Sequence, residues 1–448
     1  MLTAAPRQQR LGPPSSEVAC QWLEALLAAA QQPPDSVDAA LEAIRGPARV
    51  RMAEALAAGQ ALPQRRQDDW RLTDPAALLR VPPRLFDRQA AAAADPAAAA
   101  ATSAVAGNGA SGPLRLRLDR PGDPLAGLQL PPGLERLDPS ALNRHLGQAL
   151  LANRSSDHWP VRLNQALAAQ LLALRVRAGA PQRLELCSEM GAGAGVLPVR
   201  ILLLLEPDAR LELFEQHRGG EGSLSSVLVE AELGRGAQLL HGVLGEGHQG
   251  CQLRHQAVVQ EPGSALTLVQ ASAGWDLVRS EPRVVQSEGA ARTVLRGLQW
   301  VAGRELADTH SEVRFEGPDG ELDQLHKAVA DAAGHSVFHG AVVVPRLAQR
   351  TAAAQISRGL LLSARARIDA RPQLEIVADD VRCTHGATVS TLQPEQLFYL
   401  RSRGIAAARA ARLLLRGFCD EVLRQLPAAA AGGQPSGWLP VAQEDERR

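Results

Sequence analysis

Two side chains with soft donor atoms stand two residues apart in Cys383-Thr384-His385. On a strand they share a face, so a thiolate and an imidazole can meet one ion. Two ligands do not complete a site. Structural zinc takes four and an iron-sulfur cluster usually four, so the rest would have to come from another chain. Taken alone, the motif reads more simply as a buried cysteine beside a solvent-facing histidine. Asp379-Asp380, just before it, could be a carboxylate pair for acid-base work or for a hard cation. Neighbouring side chains of a strand face opposite ways, however, so a corner that uses Asp for the backbone is the expectation.

Other candidates are weaker. Gly191-Ala192-Gly193-Ala194-Gly195 lacks the GxGxxG order and a following helix, and reads as a turn. No G-x-x-x-x-G-K-[ST] occurs and Lys327 is the only lysine, so the chain has no ATP site of its own and any ATP-driven step falls to another polypeptide. Neither G-x-S-x-G nor H-E-x-x-H is present. His310, His326, His335 and His339 are expected in scattered surface or core roles, with His310, after Ala307-Asp308-Thr309, the one to follow. No residue is assigned to catalysis, and the chain reads as a non-enzyme. Phe398 and Tyr399 are adjacent, about 100° apart on a helix, so both cannot pack inward. With Arg401 and Arg403 they resemble an interface anchor, although the two rings could also close the end of a β body.

The elements that would position these residues fall into three textures. From Ser15 to about Gln60 the pattern is helical: Ser15-Ser16-Glu17 offers an N-cap, Val18, Trp22, Leu23, Leu26 and Leu27 recur at helical spacing, and a second helix follows Pro34-Asp35-Ser36. A helical domain over 1–87 is followed by an alanine-rich, turn-rich linker over 88–112. From 113 to 392 short strands dominate, as in Leu114-Arg115-Leu116-Arg117-Leu118, with a helical insertion expected at Arg162 to Ala178. Corners align at Asp208-Ala209, Gly236-Ala237, Ser264-Ala265, Gly289-Ala290, Gly320-Glu321, Leu347-Ala348 and Pro372-Gln373, with spacings of 28, 28, 25, 31, 27 and 25 residues. A period of that size points to stacked coils, a mainly β fold built on a β-helix, over a β-sandwich of hairpins with turns every 8 to 12 residues or so. From 393 to 427 a second helical domain is expected. Pro394 stands at N1 and Gly404 at the end of its first helix, and Leu413, Leu414, Phe418, Val422 and Leu426 form a stripe on its second. The tail 428–448 is expected to be disordered.

Composition bounds the partners. Lys+Arg and Asp+Glu are both 48, so no basic field draws in nucleic acid or an anionic membrane. Five scattered cysteines, with no CxxC, argue against a disulfide framework or a zinc knuckle. No signal-peptide run opens the chain and no segment reaches the roughly 20 apolar residues of a membrane span, so a soluble cytoplasmic protein is expected.

Six blocks in order, Val337 to Val344, Ala348 to Gln355, Leu360 to Ser363, Pro372 to Ile376, Ala378 to Thr388 and Leu397 to Ile405, resemble the SufB/SufD family of iron-sulfur cluster assembly scaffolds. Leu62 to Arg66 and Asp69 to Asp74 are similar to that family's entry motif. Cys383-Thr384-His385-Gly386-Ala387-Thr388 looks like the SufD branch; the SufB branch carries His-Glu-Ala-Thr there. The resemblance implies a right-handed parallel β-helix between N- and C-terminal helical domains. It also implies a complex with a SufB-like paralogue and a SufC-like ATPase, with Cys383 and His385 as ligands to a nascent iron-sulfur cluster shared with the SufB-like chain. The isolated chain is left open between monomer and homodimer. The competing readings are a SufB-like paralogue, a β-helix carbohydrate-active enzyme, for which aromatics at 3% are few, and a purely structural β-helix, which would not need a helical C-terminus.

Overall fold

The computed structural model describes residues 16–31, 39–94, 113–168 and 170–427. The caps expected at Ser15 and at Pro34 to Ser36, residues 95–112 of the alanine-rich stretch and the tail 428–448 lie outside them. Strands are numbered in chain order. One nine-stranded sheet runs β1 (Leu114–Arg117), β4 (Gln182–Met190), β6 (Arg210–Gly220), β8 (Gln238–His248), β10 (Ala265–Ala273), β12 (Arg292–Val301), β14 (Glu321–Ala330), β16 (Ala352–Leu361), β18 (Arg382–Ser390). The other runs β17 (Arg367–Ile376), β15 (His335–Val344), β13 (Leu306–Phe315), β11 (Leu277–Gln286), β9 (Cys251–Gln260), β7 (Ser223–Leu233), β5 (Gly195–Leu205), β3 (Leu172–Val176), β2 (Leu134–Arg136). Successive long strands alternate between the sheets, and each pairs in parallel with the strand one coil on, as in Leu211↔Leu239 and Leu239↔Leu266. The result is a parallel β-solenoid of two-strand coils, which a sandwich of antiparallel hairpins cannot produce.

The coil repeat has a backbone cause. Between the second and first sheets the chain turns through a left-handed residue at Asp208, Gly236, Gly263, Ala290, Asp319 and Arg350. At Gly236 the φ of 68° favours a glycine, and a Cβ there would push the Asp208 carboxylate aside. The corner expected at Pro372-Gln373 is a correction: both lie inside β17, and the turn comes at residues 377–381, where the Arg350 N–H donates to the Asp380 carbonyl at 2.6 Å. Gly191 to Ala194 turns between β4 and β5, as expected.

Helices cover both outer faces. On the second sheet sit α1 (Ser16–Ala29), α2 (Ala39–Ala57) and α6 (Trp159–Leu167). Trp22, Leu23, Leu26 and Leu27 pack with Leu163, Ala166 and Leu167 against Val196, Leu224, Cys251, Leu253 and Leu277, while Val18 stays exposed. Between α2 and α6 come α3 (Arg88–Ala94), whose Arg88 donates to the Leu118 and Pro198 carbonyls, α4 (Pro139–His145) and α5 (Gln148–Ala152). The helix expected from Arg162 to Ala178 ends at Leu167. Leu172, Leu174 and Val176 also carry a period of two, and pairing with Ile201 to Leu205 fixes them as β3.

On the first sheet lies α8 (Ala407–Leu423), preceded by α7 (Pro394–Ser402). Leu415, Cys419, Val422, Leu423 and Leu426 meet Leu244, Val269, Leu298, Trp300, Leu325 and Leu360. The expected stripe was rotated: Leu413 is exposed and Leu415 and Cys419 are buried. Lys327, the only lysine, anchors this helix by donating to the Phe418 carbonyl at 2.7 Å and by an ion pair with Glu421. No helix among the described residues is long and apolar enough to cross a membrane.

Candidate functional site

Ladders of inward side chains run the length of the first sheet. One passes through Leu211, Leu239, Leu266, Thr293, Leu322 and Ala353 and ends on Cys383; another passes through Leu213, His241, Leu268, Leu295, Gln324 and Gln355 and ends on His385. The two residues therefore share a face, as their spacing requires, and that face is the interior side of the last coil. β18 and β17 are the free edges of their sheets. With no coil above them among the described residues, Cys383 is half-buried against the core and His385 is exposed. An interior-facing residue at an open end is neither a core residue nor an outward one. Burial pushes the Cys383 thiol above its usual range, opposed by the Ala353 backbone N–H, so a bound metal would have to displace its proton. A Cβ at Gly386 would meet nothing within 4 Å among the described residues.

Asp379 and Asp380 form the preceding corner with both carboxylates exposed; it is the Asp380 backbone that bonds, its N–H donating to Gln349 Oε1 at 2.9 Å. The same end presents Ile376, Val377 and Val389 to solvent. Two unpaired strand edges with apolar side chains are a surface that proteins ordinarily cover.

On α7 no residue is buried; Phe398 is 71% and Tyr399 59% exposed, and the Arg403 guanidinium lies 5.4 Å from the Tyr399 ring centre. Arg401 is exposed beside them. The rings do not close the solenoid. Pro394 occupies the first turn, and Gly404, at φ 82°, follows the last.

Two polar clusters escaped the sequence reading. Inside the solenoid, Glu215 binds His217, His241 and Arg254, all buried. On the face under α6, Glu281 binds His158, His255 and Arg279, and Arg279 also binds Asp308. Burial alone would raise both glutamates, but Arg254 and Arg279, with the histidine hydrogen bonds, hold them well below the usual range. Burial lowers His255 to about 4. A legible signal exists: His255 and Glu281 are one coil apart in register, a pairing visible once the repeat is used to stack the strands. His310 is buried against Asp308 at 3.2 Å, its ring 4.9 Å from that of His339. His326 is buried and stacked on Phe338, and His335 bonds Asp369 at 2.7 Å.

A family model described as SUF system FeS cluster assembly, SufBD core domain, matches residues 189–418. The chain is 35% identical over 247 residues to an iron-sulfur cluster assembly SufBD family protein of Synechocystis, covering 52% of this chain and 54% of that protein. It is 38% identical over 132 residues to the iron-sulfur cluster assembly protein SufD of Escherichia coli (30% of this chain, 31% of that one). To SufD of Bacillus subtilis it is 43% identical over 139 residues, 31% of each chain. The chain thus spans about half the length of the first of these relatives and about a third of the two SufD proteins.

Proposed function

The chain belongs to the SufB/SufD family of iron-sulfur cluster assembly proteins, and within it we propose a SufD-type subunit, a non-enzymatic cytoplasmic scaffold that lends Cys383 and His385 to a nascent cluster shared with a SufB-like paralogue. The observation that carries this reading is the position of the two donors, on one face of a free edge strand at the uncovered end of the solenoid. A paralogous solenoid placed end to end would cover both strand edges and the exposed Ile376, Val377 and Val389. It would also supply the ligands that this chain lacks. The Cys-x-His-Gly-Ala-Thr run at 383–388 favours the SufD branch over the SufB branch. A SufC-like ATPase would dock on α7 through Phe398, Tyr399, Arg401 and Arg403, supplying the ATP site this chain does not have.

The test is to produce the chain with its SufB-like and SufC-like partners and to replace Cys383→Ser and His385→Ala. The complex should still form, with an unchanged melting temperature, while maturation of a cellular iron-sulfur enzyme falls by roughly tenfold or more, as loss of a soft ligand implies. Normal maturation with both residues replaced would end the proposed role.

A further inference from the structure

Outside the SufD-type site, three potential ligands from distant parts of the chain converge under α6. His158 immediately precedes that helix, His255 lies on β9 and Glu281 on β11, and one donor atom from each lies within 4.8 Å of the other two. Both imidazoles aim Nδ1 at the same carboxylate oxygen: Glu281 Oε2 is 2.8 Å from His158 and 3.0 Å from His255. With zinc-ligand bonds of about 2.0–2.2 Å, the edge of a tetrahedral site measures about 3.3–3.6 Å, so an ion would move each imidazole nitrogen away from the carboxylate oxygen by roughly half an ångström.

The atoms behind the donors are held as metal ligands usually are. His255 Nε2 meets Ser155 Oγ at 2.9 Å, an acceptor for the proton that must sit on Nε2 if Nδ1 binds a metal. Glu281 Oε1 takes a hydrogen bond from Arg279 Nε at 2.7 Å, leaving Oε2 as a single-oxygen ligand. Charge favours a cation. Arg279 is shared with Asp308 at 2.5 Å, so with their histidines neutral, Arg279, Glu281 and Asp308 carry one net negative charge in a place where each side chain is at most 1% exposed. The His158 side chain is 23% exposed while His255 and Glu281 are 1% exposed, so an ion would enter from the His158 side.

We propose that His158, His255 and Glu281 form a site for a zinc-class divalent cation, clasping the segment before α6 to the solenoid. Two imidazoles and one carboxylate suit Zn2+ and disfavour Mg2+ and Ca2+, which take oxygen ligands. The site is independent of Cys383 and His385, and the proposal does not rest on the cluster-assembly role.

The experiment uses the untagged full chain, dialysed against Zn2+ and analysed for bound metal, with Co2+ as a spectroscopic probe. The wild type and the Cys383→Ser, His385→Ala double variant should each retain one equivalent of Zn2+, and Co2+ should give the visible absorption of a tetrahedral site. His158→Ala should weaken Zn2+ at least tenfold. His158→Gln, which keeps a hydrogen-bond donor for Glu281 but is a poor ligand, should do the same while the chain stays folded by circular dichroism. Added Zn2+ should raise the melting temperature of the wild type and not of either His158 variant. Absence of stoichiometric metal in the wild type, binding unchanged in both His158 variants, or binding abolished in the Cys383→Ser, His385→Ala variant would each overturn the proposal. The triad would then be only a hydrogen-bonded lock.

Discussion

Glu215 accepts hydrogen bonds on both oxygens inside the solenoid, from His241 and Arg254 at 2.6 Å on Oε1 and from His217 at 2.9 Å and Arg254 at 3.1 Å on Oε2. Its side chain is 0% and that of Arg254 2% exposed, so neither charge has water to fall back on. Glu215→Gln would leave the guanidinium without its counter-charge, and breaking a buried pair of this kind costs about 3–5 kcal/mol. Urea unfolding should show that loss, and a change under about 1 kcal/mol would mean that water reaches Arg254. Replacing both residues by apolar ones, as in Glu215→Leu with Arg254→Met, should recover part of it, because the pair's attraction largely offsets its desolvation while His217 and His241 still lose their acceptor. Cys383→Ser at the open end differs in kind, since a half-exposed hydroxyl keeps its solvent. Of these residues the sequence announced only Cys383, whose donor type and spacing from His385 are local. Glu215, His241 and Arg254 are joined only by the fold.

At the scale of elements, α7 is the exception to burial. Every other helix longer than seven residues among those described buries part of a face, whereas α7 buries none and carries two exposed aromatic rings. Exposed aromatics beside arginines are what protein interfaces centre on, where truncating a central ring costs about 2 kcal/mol or more. Tyr399→Ala should therefore weaken association with a SufC-like ATPase by roughly thirtyfold, measured by titration, with a nearly unchanged melting temperature because the residue is 59% exposed. Undiminished binding would remove α7 from the docking surface. The sequence marked α7 well, through Pro394, Gly404 and the adjacent rings. It misplaced the buried face of α8 because Leu413-Leu414-Leu415 offers three registers for one stripe, and only the sheet beneath, with Lys327 reaching Phe418, selects Leu415 and Cys419.

For the whole molecule, the coil repeat was legible because left-handed corners recur on small or turn-forming residues such as Asp208, Gly236 and Gly263. The corner expected at Leu347-Ala348 falls in the turn between β15 and β16, and the repeat failed at Pro372, a turn former placed mid-strand. What no pattern revealed is how polar the interior is: Gln252, Arg254, Gln270, Gln299, Gln324 and His326 line a cavity of about 40 Å3 between the sheets. That polarity makes stability depend on pH. Burial lowers His326 from 6.5 to about 3, only weakly opposed by Asp308, and its Nε2 has no hydrogen-bond partner among the described residues. A histidine depressed on folding contributes stability that is fully present above its unfolded value of about 6.5. The contribution is lost as pH falls toward 3, because the unfolded chain takes up the proton first. Glu305, raised by burial to about 7, works in the opposite sense, its contribution being present below about 4.5 and lost as pH rises through 7. The two oppose each other between about pH 4.5 and 6.5, so the wild-type profile alone would hide either, and a single-site comparison is needed. From pH 7 to pH 5 the His326 contribution should fall by about 2 kcal/mol, at about 1.36 kcal/mol per pH unit below 6.5. Urea unfolding of the wild type and His326→Gln at the two pH values should show the wild type losing about 2 kcal/mol more than the variant on acidification. An equal loss in both proteins would place His326 in contact with water, and the cavity it lines would then be open to solvent.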